Sequence, residues 1–352
     1  MLVGGQGTRL RPLTLSAPKP LLPTAGVPFL AHPLARAAQA GITHVVLATS
    51  YQAEMFHEAF GTGADFGLSI DYEYESAPLG TGGGIRNAAP YLRGGPDDPV
   101  VVLNGDILSG HDLAAQVELH RKTDAAVTLH LVPVADPSRY GCVPTDADGR
   151  VTAFLEKTPD PVTNQINAGC YVFKKSVIEQ IPAGRVVSVE HETFPRLIAG
   201  DALVMGYLDD SYWLDVGTPE AFVQGSCDLV RGALASPAFT GTCGDYLVLG
   251  DATVAEGAGL SGGTSVGHRS VVETGAVVDG SVLFDGATIE AGAVVRHSIV
   301  GKNATIAGGA SVDGVVIGDE AYVGPGNELA KGLRLWPGTR LEHTSVRFSS
   351  DA

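Results

Sequence analysis

Three separated clusters along the chain carry residue types suited to handling phosphate. The first, Gly4-Gly5-Gln6-Gly7-Thr8-Arg9, follows the apolar pair Leu2-Val3 directly. Glycines in such a place let backbone N–H groups approach a phosphate closely, and the arginine offers a planar, permanently charged fork. The loop matches neither the Walker spacing nor the GxGxxG dinucleotide fingerprint. Ten residues on, Pro18-Lys19-Pro20 holds a lysine in a segment stiffened by proline on both sides. Taken alone, a glycine-rich loop can equally be a plain turn.

The second cluster is Asn104-Gly105-Asp106, immediately after the apolar run Val100-Val101-Val102-Leu103. A carboxylate at the end of a buried strand stands where α/β sheets bind ligands, although a solvated loop aspartate would look the same. A second carboxylate, Asp215, lies inside the apolar run Trp213-Leu214-Asp215-Val216-Gly217. Such a charge is costly unless it is paired or binds a metal. Two carboxylates completed by substrate phosphates make a usual Mg2+ environment, so Asp106 and Asp215 are candidate metal ligands. The third cluster, Glu156-Lys157 with Asn167-Ala168-Gly169, supplies one cation and several polar groups, suited to a hydroxylated ligand bearing phosphate.

These clusters need elements to hold them. Residues 1–230 alternate short β-branched runs, such as Val45-Val46-Leu47-Ala48, with helical spacing at Leu30, Leu34, Ala37 and Ala38, closed by Gly41. That alternation predicts an α/β domain with a Rossmann-like sheet, mixed because residues 126–134, 151–156 and 168–173 are also strand-rich. From about residue 248 the pattern changes. Leu249, Val266, Leu283, Val300 and Ile317 recur every 17 residues, and within a period the apolar positions step by six, as in Leu283, Ile289 and Val295. This is the signature of a hexapeptide β-helix with three short faces. Residues 248–327 hold 17 of the chain's 46 glycines and only two aromatics, Phe284 and Tyr322, as a narrow core demands. Two domains are therefore expected, 1–235 and 248–352, with the boundary near 235–247 and a C-terminal cap from about residue 328.

Composition excludes several classes. No window of 18 apolar residues predicts a membrane-spanning helix, and no charged leader with an apolar stretch precedes the glycine loop. Cys142, Cys170, Cys227 and Cys243 are scattered, which favours buried thiols in a reducing, cytoplasmic setting over zinc or disulfides. The net charge of −16 opposes binding to nucleic acid or anionic membrane, so an anionic ligand must meet locally placed cations.

Taken together and in this order, the motifs resemble the nucleoside-diphosphate-sugar pyrophosphorylase family, and within it the mannose-1-phosphate guanylyltransferase (GDP-mannose pyrophosphorylase) branch. The resemblance rests on residues 4–14, Pro18-Lys19-Pro20, Leu79-Gly80-Thr81-Gly82-Gly83, Asn104-Gly105-Asp106, Glu156-Lys157, Asn167-Ala168-Gly169 and residues 213–219, followed by the β-helix. It implies that a nucleoside triphosphate and a sugar 1-phosphate give a nucleoside-diphosphate sugar and pyrophosphate. It also implies a left-handed β-helix, through whose surface the chain self-associates into a homo-oligomer. By the same resemblance Gly4, Gly5, Gly7, Thr8 and Arg9 hold the triphosphate, and Arg9 and Lys19 neutralise the α-phosphate and the departing pyrophosphate. Asp106 and Asp215 hold Mg2+, Lys157 grips the sugar phosphate, and Gly141, Glu156 and Asn167 orient the sugar. Gly80 and Thr81 fall in its base-recognition turn. Members carry several apolar residues ahead of the glycine loop, whereas Met1-Leu2-Val3 alone precede it here; either the start lies upstream or the first strand is short.

The base is open to argument from chemistry. Guanine presents two adjacent donors that one carboxylate can accept, and Glu75 stands five residues before Gly80. Thymine or uracil would suit an amide better, so a glucose-1-phosphate thymidylyl- or uridylyltransferase is the alternative. A catalytically silent regulatory subunit would be expected to lose some of Arg9, Lys19, Asp106, Lys157 and Asp215, yet all are present. His268 and His297 in the repeat raise a third possibility, an acyltransferase, tested by acyl-CoA turnover.

Overall fold

The structure, a computed structural model, describes residues 1–156, 160–239 and 241–347. The chain divides into two compact units, Met1–Gly5 with Arg36–Trp213, and Gln6–Ala35 with Leu214–Ala352.

The first unit is built on a mixed sheet, as the alternation of strand and helix patterns predicts. Strand β1 (His44–Thr49) pairs in parallel with β2 (Ser69–Tyr74). Strand β3 (Pro99–Leu103) pairs with β5 (Gln165–Lys174), which also pairs with β4 (Val127–Pro133), both antiparallel. Strand β6 (Val204–Leu208) closes the far side, parallel to β4. Leu2 bridges β1 and β3 in parallel: its N–H donates to Leu103 at 2.9 Å, and it faces Ala48 and Asn104. The short run 1–3 is therefore the central strand of this sheet. Behind Met1 lies a cavity of about 300 Å3 lined by residues of β1 and β3. The Met1 ammonium, bonded to the Val46 carbonyl at 2.7 Å, is pushed by burial down to a pKa of about 5. The core beside the sheet is aromatic, with Tyr171 and Phe173 packed on Phe194.

The second unit is a parallel β-helix with the helix Pro219–Arg231 packed on it; Phe222 meets Phe284 edge-on at 6.3 Å. Thr218 caps that helix by accepting from the Ala221 N–H, Pro219 opens it, and Gly232 ends it with φ 80°. The three faces of the coil carry six, six and five parallel strands. Leu283, Ile289, Val295, Val300, Ile306 and Val312 all point inward with at most 2% exposure, as their spacing predicts. Thr264, Ser281 and Ser298 stack along one buried corner, where each hydroxyl accepts a backbone N–H from the next coil at 3.1–3.2 Å.

Two details differ from the periodic expectation. Val248, and not Leu249, is the register partner of Val266, and Ile317 pairs with Leu335, so both terminal coils take 18 residues. The central coils turn this corner on a single left-handed residue, Gly280, His297 or Gly314. The terminal coils use two, Gly262-Gly263 and Lys331-Gly332, which accommodates the extra residue. Nor does the coil give way to a cap at 328, because strands continue through Glu328–Ala330, Arg334–Leu335 and Arg340–Leu341.

Candidate active site

In the first unit the carboxyl ends of the strands meet the glycine loop. Gly105 has to be glycine: a Cβ there would come within 2.5 Å of Val3 Cγ1 and 2.7 Å of the Leu2 carbonyl, to which its own N–H donates. That contact fixes the turn from which Asp106 emerges. Gly4 is similarly pressed against Ser50, whose hydroxyl donates to its carbonyl, while nothing crowds Gly5 within 4 Å. Backbone at Gly5 is thus open to a ligand.

The Asn167-Ala168-Gly169 motif sits on an irregularity in β5, where the register against β4 shifts between Asn167 and Tyr171. Bulges of this kind re-aim side chains beside active sites. Gly169 takes φ +78° and its N–H donates to Asn167 Oδ1 at 3.2 Å, while its carbonyl accepts from the Asn104 N–H at 2.8 Å. Asn167 Nδ2 donates to the fully buried Tyr171 hydroxyl at 2.9 Å. Asn167 therefore shapes the bulge, and Tyr171 carries no signal in the sequence that would distinguish it from a core aromatic.

Gly141 and Glu156 are directly paired on two short antiparallel strands, and Cys142 pairs with Ile166 beside Asn167. Pairing thus brings the three expected sugar-orienting residues together. A Cβ on Gly141 would meet Glu156 Oε2 at 2.7 Å and the Phe154 ring at 2.9 Å. Trp213 borders this patch: its indole N–H donates to the Ala168 carbonyl at 2.9 Å, and Tyr140 packs edge-on to it at 5.4 Å. Lys157 lies outside the described residues.

Glu75 is half-buried, and desolvation, followed by the neighbouring Glu73 charge, raises its carboxyl pKa despite the bond from Leu79. One oxygen accepts the Leu79 N–H at 3.2 Å; the other lies over Gly84, 2.5 Å from where a Cβ would be. The carboxylate thus caps the turn it was expected to work beside. Gly80, with φ +72°, opens the helix Gly80–Asn87, and a Cβ there would strike the Val187 carbonyl at 2.6 Å. The Thr81 hydroxyl is engaged within the protein, donating to Glu190 at 2.7 Å.

Gly7, Thr8, Arg9, Lys19 and Asp215 belong to the second unit. Gly7 has φ +58°, and a Cβ there would come within 3.0 Å of the Lys19 and Thr14 side chains. Thr14 holds the loop by donating to the Gly7 carbonyl at 3.0 Å. Thr8 and Arg9 form an exposed 3-10 turn, and Lys19 is buried at 7% exposure. The Arg9 guanidinium lies across Gly217, where a Cβ would meet Nη2 at 2.6 Å and Cζ at 2.9 Å. Residues more than 200 apart in sequence thus meet two positions from Asp215. Among the described residues no group of three or more His, Cys, Asp or Glu could enclose a metal. No helix among them is long and apolar enough to cross a membrane. Cys142, Cys170, Cys227 and Cys243 are free thiols, the first three buried.

Comparison with known proteins follows the same outline. A nucleotidyl transferase family profile matches residues 1–232, and a GMPPB C-terminal domain profile matches 242–344. The chain is 56% identical over 352 residues to a mannose-1-phosphate guanylyltransferase of Mycobacterium tuberculosis, covering 100% of this chain and 97% of that protein. It is 38% identical over 263 residues to a mannose-1-phosphate guanylyltransferase catalytic subunit beta of Drosophila pseudoobscura pseudoobscura, covering 73% of this chain and 70% of the relative. Among solved structures, HddC from Yersinia pseudotuberculosis complexed with GMP-PN superposes with a TM-score of 0.54 at 29% identity, over 64% of this chain and 96% of HddC. The chain belongs to the nucleotidyl transferase family, as a sugar-1-phosphate nucleotidyltransferase that joins its transferase domain to a GMPPB C-terminal domain.

Proposed function

We propose that the protein is a mannose-1-phosphate guanylyltransferase, converting GTP and mannose 1-phosphate to GDP-mannose and pyrophosphate. The observation that carries this reading is the approach of the Arg9 guanidinium to Gly217, two positions from Asp215, in an otherwise acidic protein. Full-length likeness to a mannose-1-phosphate guanylyltransferase supports the choice of base and sugar.

A phosphate oxygen of the sugar phosphate attacks the α-phosphorus; the bond to the β-phosphate oxygen breaks and pyrophosphate leaves. The second phosphate pKa is about 6, so the nucleophile is already ionised near neutral pH and no general base is needed. The requirement is in-line alignment of two polyanions and relief of their repulsion. Backbone at Gly4, Gly5 and Gly7, with Thr8, cradles the triphosphate. Arg9 and Lys19 take the charge of the α-phosphate and the leaving group. Lys157 binds the sugar phosphate, and Gly141, Glu156 and Asn167 orient the sugar. Glu75 accepts from guanine with Gly80 and Thr81 shaping the turn.

Asp106 and Asp215 each offer the hard carboxylate oxygens that suit Mg2+, and close to Asp106 the Asn104 side-chain oxygen is buried and accepts no hydrogen bond among the described residues. Bound there with substrate phosphates, Mg2+ would supply Lewis-acid stabilisation of the developing charge. The proposed domain division is 1–235 and 248–352, with self-association through the β-helix and a cytoplasmic setting. Pyrophosphate release measured across four nucleoside triphosphates and several sugar 1-phosphates tests the reading. GTP with mannose 1-phosphate is expected to be the preferred pair, and preference for dTTP or UTP with glucose 1-phosphate would replace it.

A further inference from the structure

Residues 80–84 read Gly-Thr-Gly-Gly-Gly, so the base-recognition turn has almost no side chains with which to hold its own shape. Glycine in a helix costs about 1 kcal/mol relative to alanine, and several in one turn leave it mobile unless it is braced from outside. The brace is the segment 187–190. The Val187 carbonyl accepts the N–H groups of Gly82 at 2.8 Å and Gly83 at 3.2 Å, and the Val187 N–H donates to Leu79 at 2.9 Å. Thr81 is the one residue of the five with a hydrogen-bonding side chain. Its hydroxyl donates to Glu190 Oε2 at 2.7 Å and accepts the Val189 N–H at 3.0 Å. Ser188 donates to the same Glu190 oxygen at 2.7 Å, and its hydroxyl accepts the His191 N–H at 3.1 Å.

We infer that Glu190 is a positioning residue for nucleotide selection: its carboxylate, clamped by Ser188 and acting through Thr81, holds the glycine turn in the form that receives the base. The inference rests on the reading of residues 75–84 as the base site. Without the clasp, the nucleotide itself has to order the turn, so the loss falls on nucleotide binding and spares the chemical step.

Glu190→Ala, Thr81→Val and their double variant are compared with Thr81→Ser, by steady-state kinetics and by amide exchange at residues 79–84. A hydrogen bond to a charged group is strong enough that its loss should raise the GTP KM about tenfold, with kcat and the sugar-phosphate KM within about twofold. Exchange at Gly82 and Gly83 should quicken. Thr81→Ser, which keeps the hydroxyl, should restore most of the GTP affinity lost in Thr81→Val, and the double variant should be no worse than the worse single, because both remove the same Thr81–Glu190 bond. The inference is overturned if Thr81→Val leaves the GTP KM unchanged. It is equally overturned if Glu190→Ala raises the sugar-phosphate KM instead, or if the two effects multiply. Should the parent protein show no guanylyltransferase activity, the proposed function fails, and exchange at Gly82 and Gly83 alone decides the clasp.

Discussion

The β-helix and the mixed-sheet unit solve the problem of burial in opposite ways. Each coil of the β-helix buries the same small aliphatic positions, and the polar groups of the Thr264-Ser281-Ser298 corner repeat with the coil. Each coil leans on its neighbours, so stability accumulates coil by coil. The mixed-sheet unit buries groups that occur once: Tyr171 under Asn167, His111 stacked on His130 at 3.9 Å, Gln116 bonded to His111 at 3.1 Å. Repetition makes a scaffold tolerant of drift, whereas unrepeated polar burial fixes single side chains in place, as a site requires.

The sharpest test of that contrast is Asp106→Ala or Asp215→Ala. Either should lower pyrophosphate release by two orders of magnitude or more while thermal melting stays near that of the parent, in keeping with the size of lost electrostatic stabilisation. Near-parental turnover would remove the metal assignment. Ile306→Ala should do the reverse. It opens a cavity in a fully buried coil position and should cost about 2–5 kcal/mol by denaturant unfolding, with kcat of the folded enzyme little changed. A large kcat loss there would show that the scaffold does more than hold. Gly217→Ala should separate the two properties within one residue. The new Cβ would displace only the flexible end of Arg9, 2.6 Å away, so stability should be kept while kcat falls roughly tenfold.

A further test concerns acid. Burial holds His130 at a pKa of about 3, against 6.5 when unfolded, and its ring nitrogens are buried without hydrogen-bond partners among the described residues. The groups acting on it are His111 and Asp209; His111 in turn feels Arg36 and Asp112, and burial lowers its pKa as well. Because the unfolded chain binds the proton first, full stability is present above pH 6.5 and declines towards about pH 3. His130→Phe keeps the stacking and removes the titration, so unfolding free energy measured across this window should vary less steeply. An unchanged slope would place the acid sensitivity elsewhere.

The repeat was legible because every coil states it again: the inward set 283, 289, 295, 300, 306 and 312 follows from spacing alone. The corner where the terminal coils take 18 residues was not, since paired left-handed positions such as Gly262-Gly263 and Lys331-Gly332 leave no mark in hydrophobic spacing. In the site, each glycine motif was visible, but its reason was not. Gly105 answers to Val3 and Gly217 to Arg9, contacts between residues remote in sequence. Glu190 and Tyr171 were missed for the same cause, standing in ordinary-looking runs without glycine or charge spacing to mark them.

What the sequence determined by itself is the local and the repeated: residue chemistry, the order of the motifs, the strand and helix periods and the place where the period changes. Tertiary structure alone decided which of those residues meet. It laid Arg9 across Gly217, paired Gly141 with Glu156 and bulged β5 at Asn167. It also turned the Thr81 hydroxyl inward to Glu190. The reason is physical. Periodicity records which face of an element is buried, whereas a site is made where single side chains from distant segments come within hydrogen-bonding or van der Waals reach, and only the folded chain sets those distances.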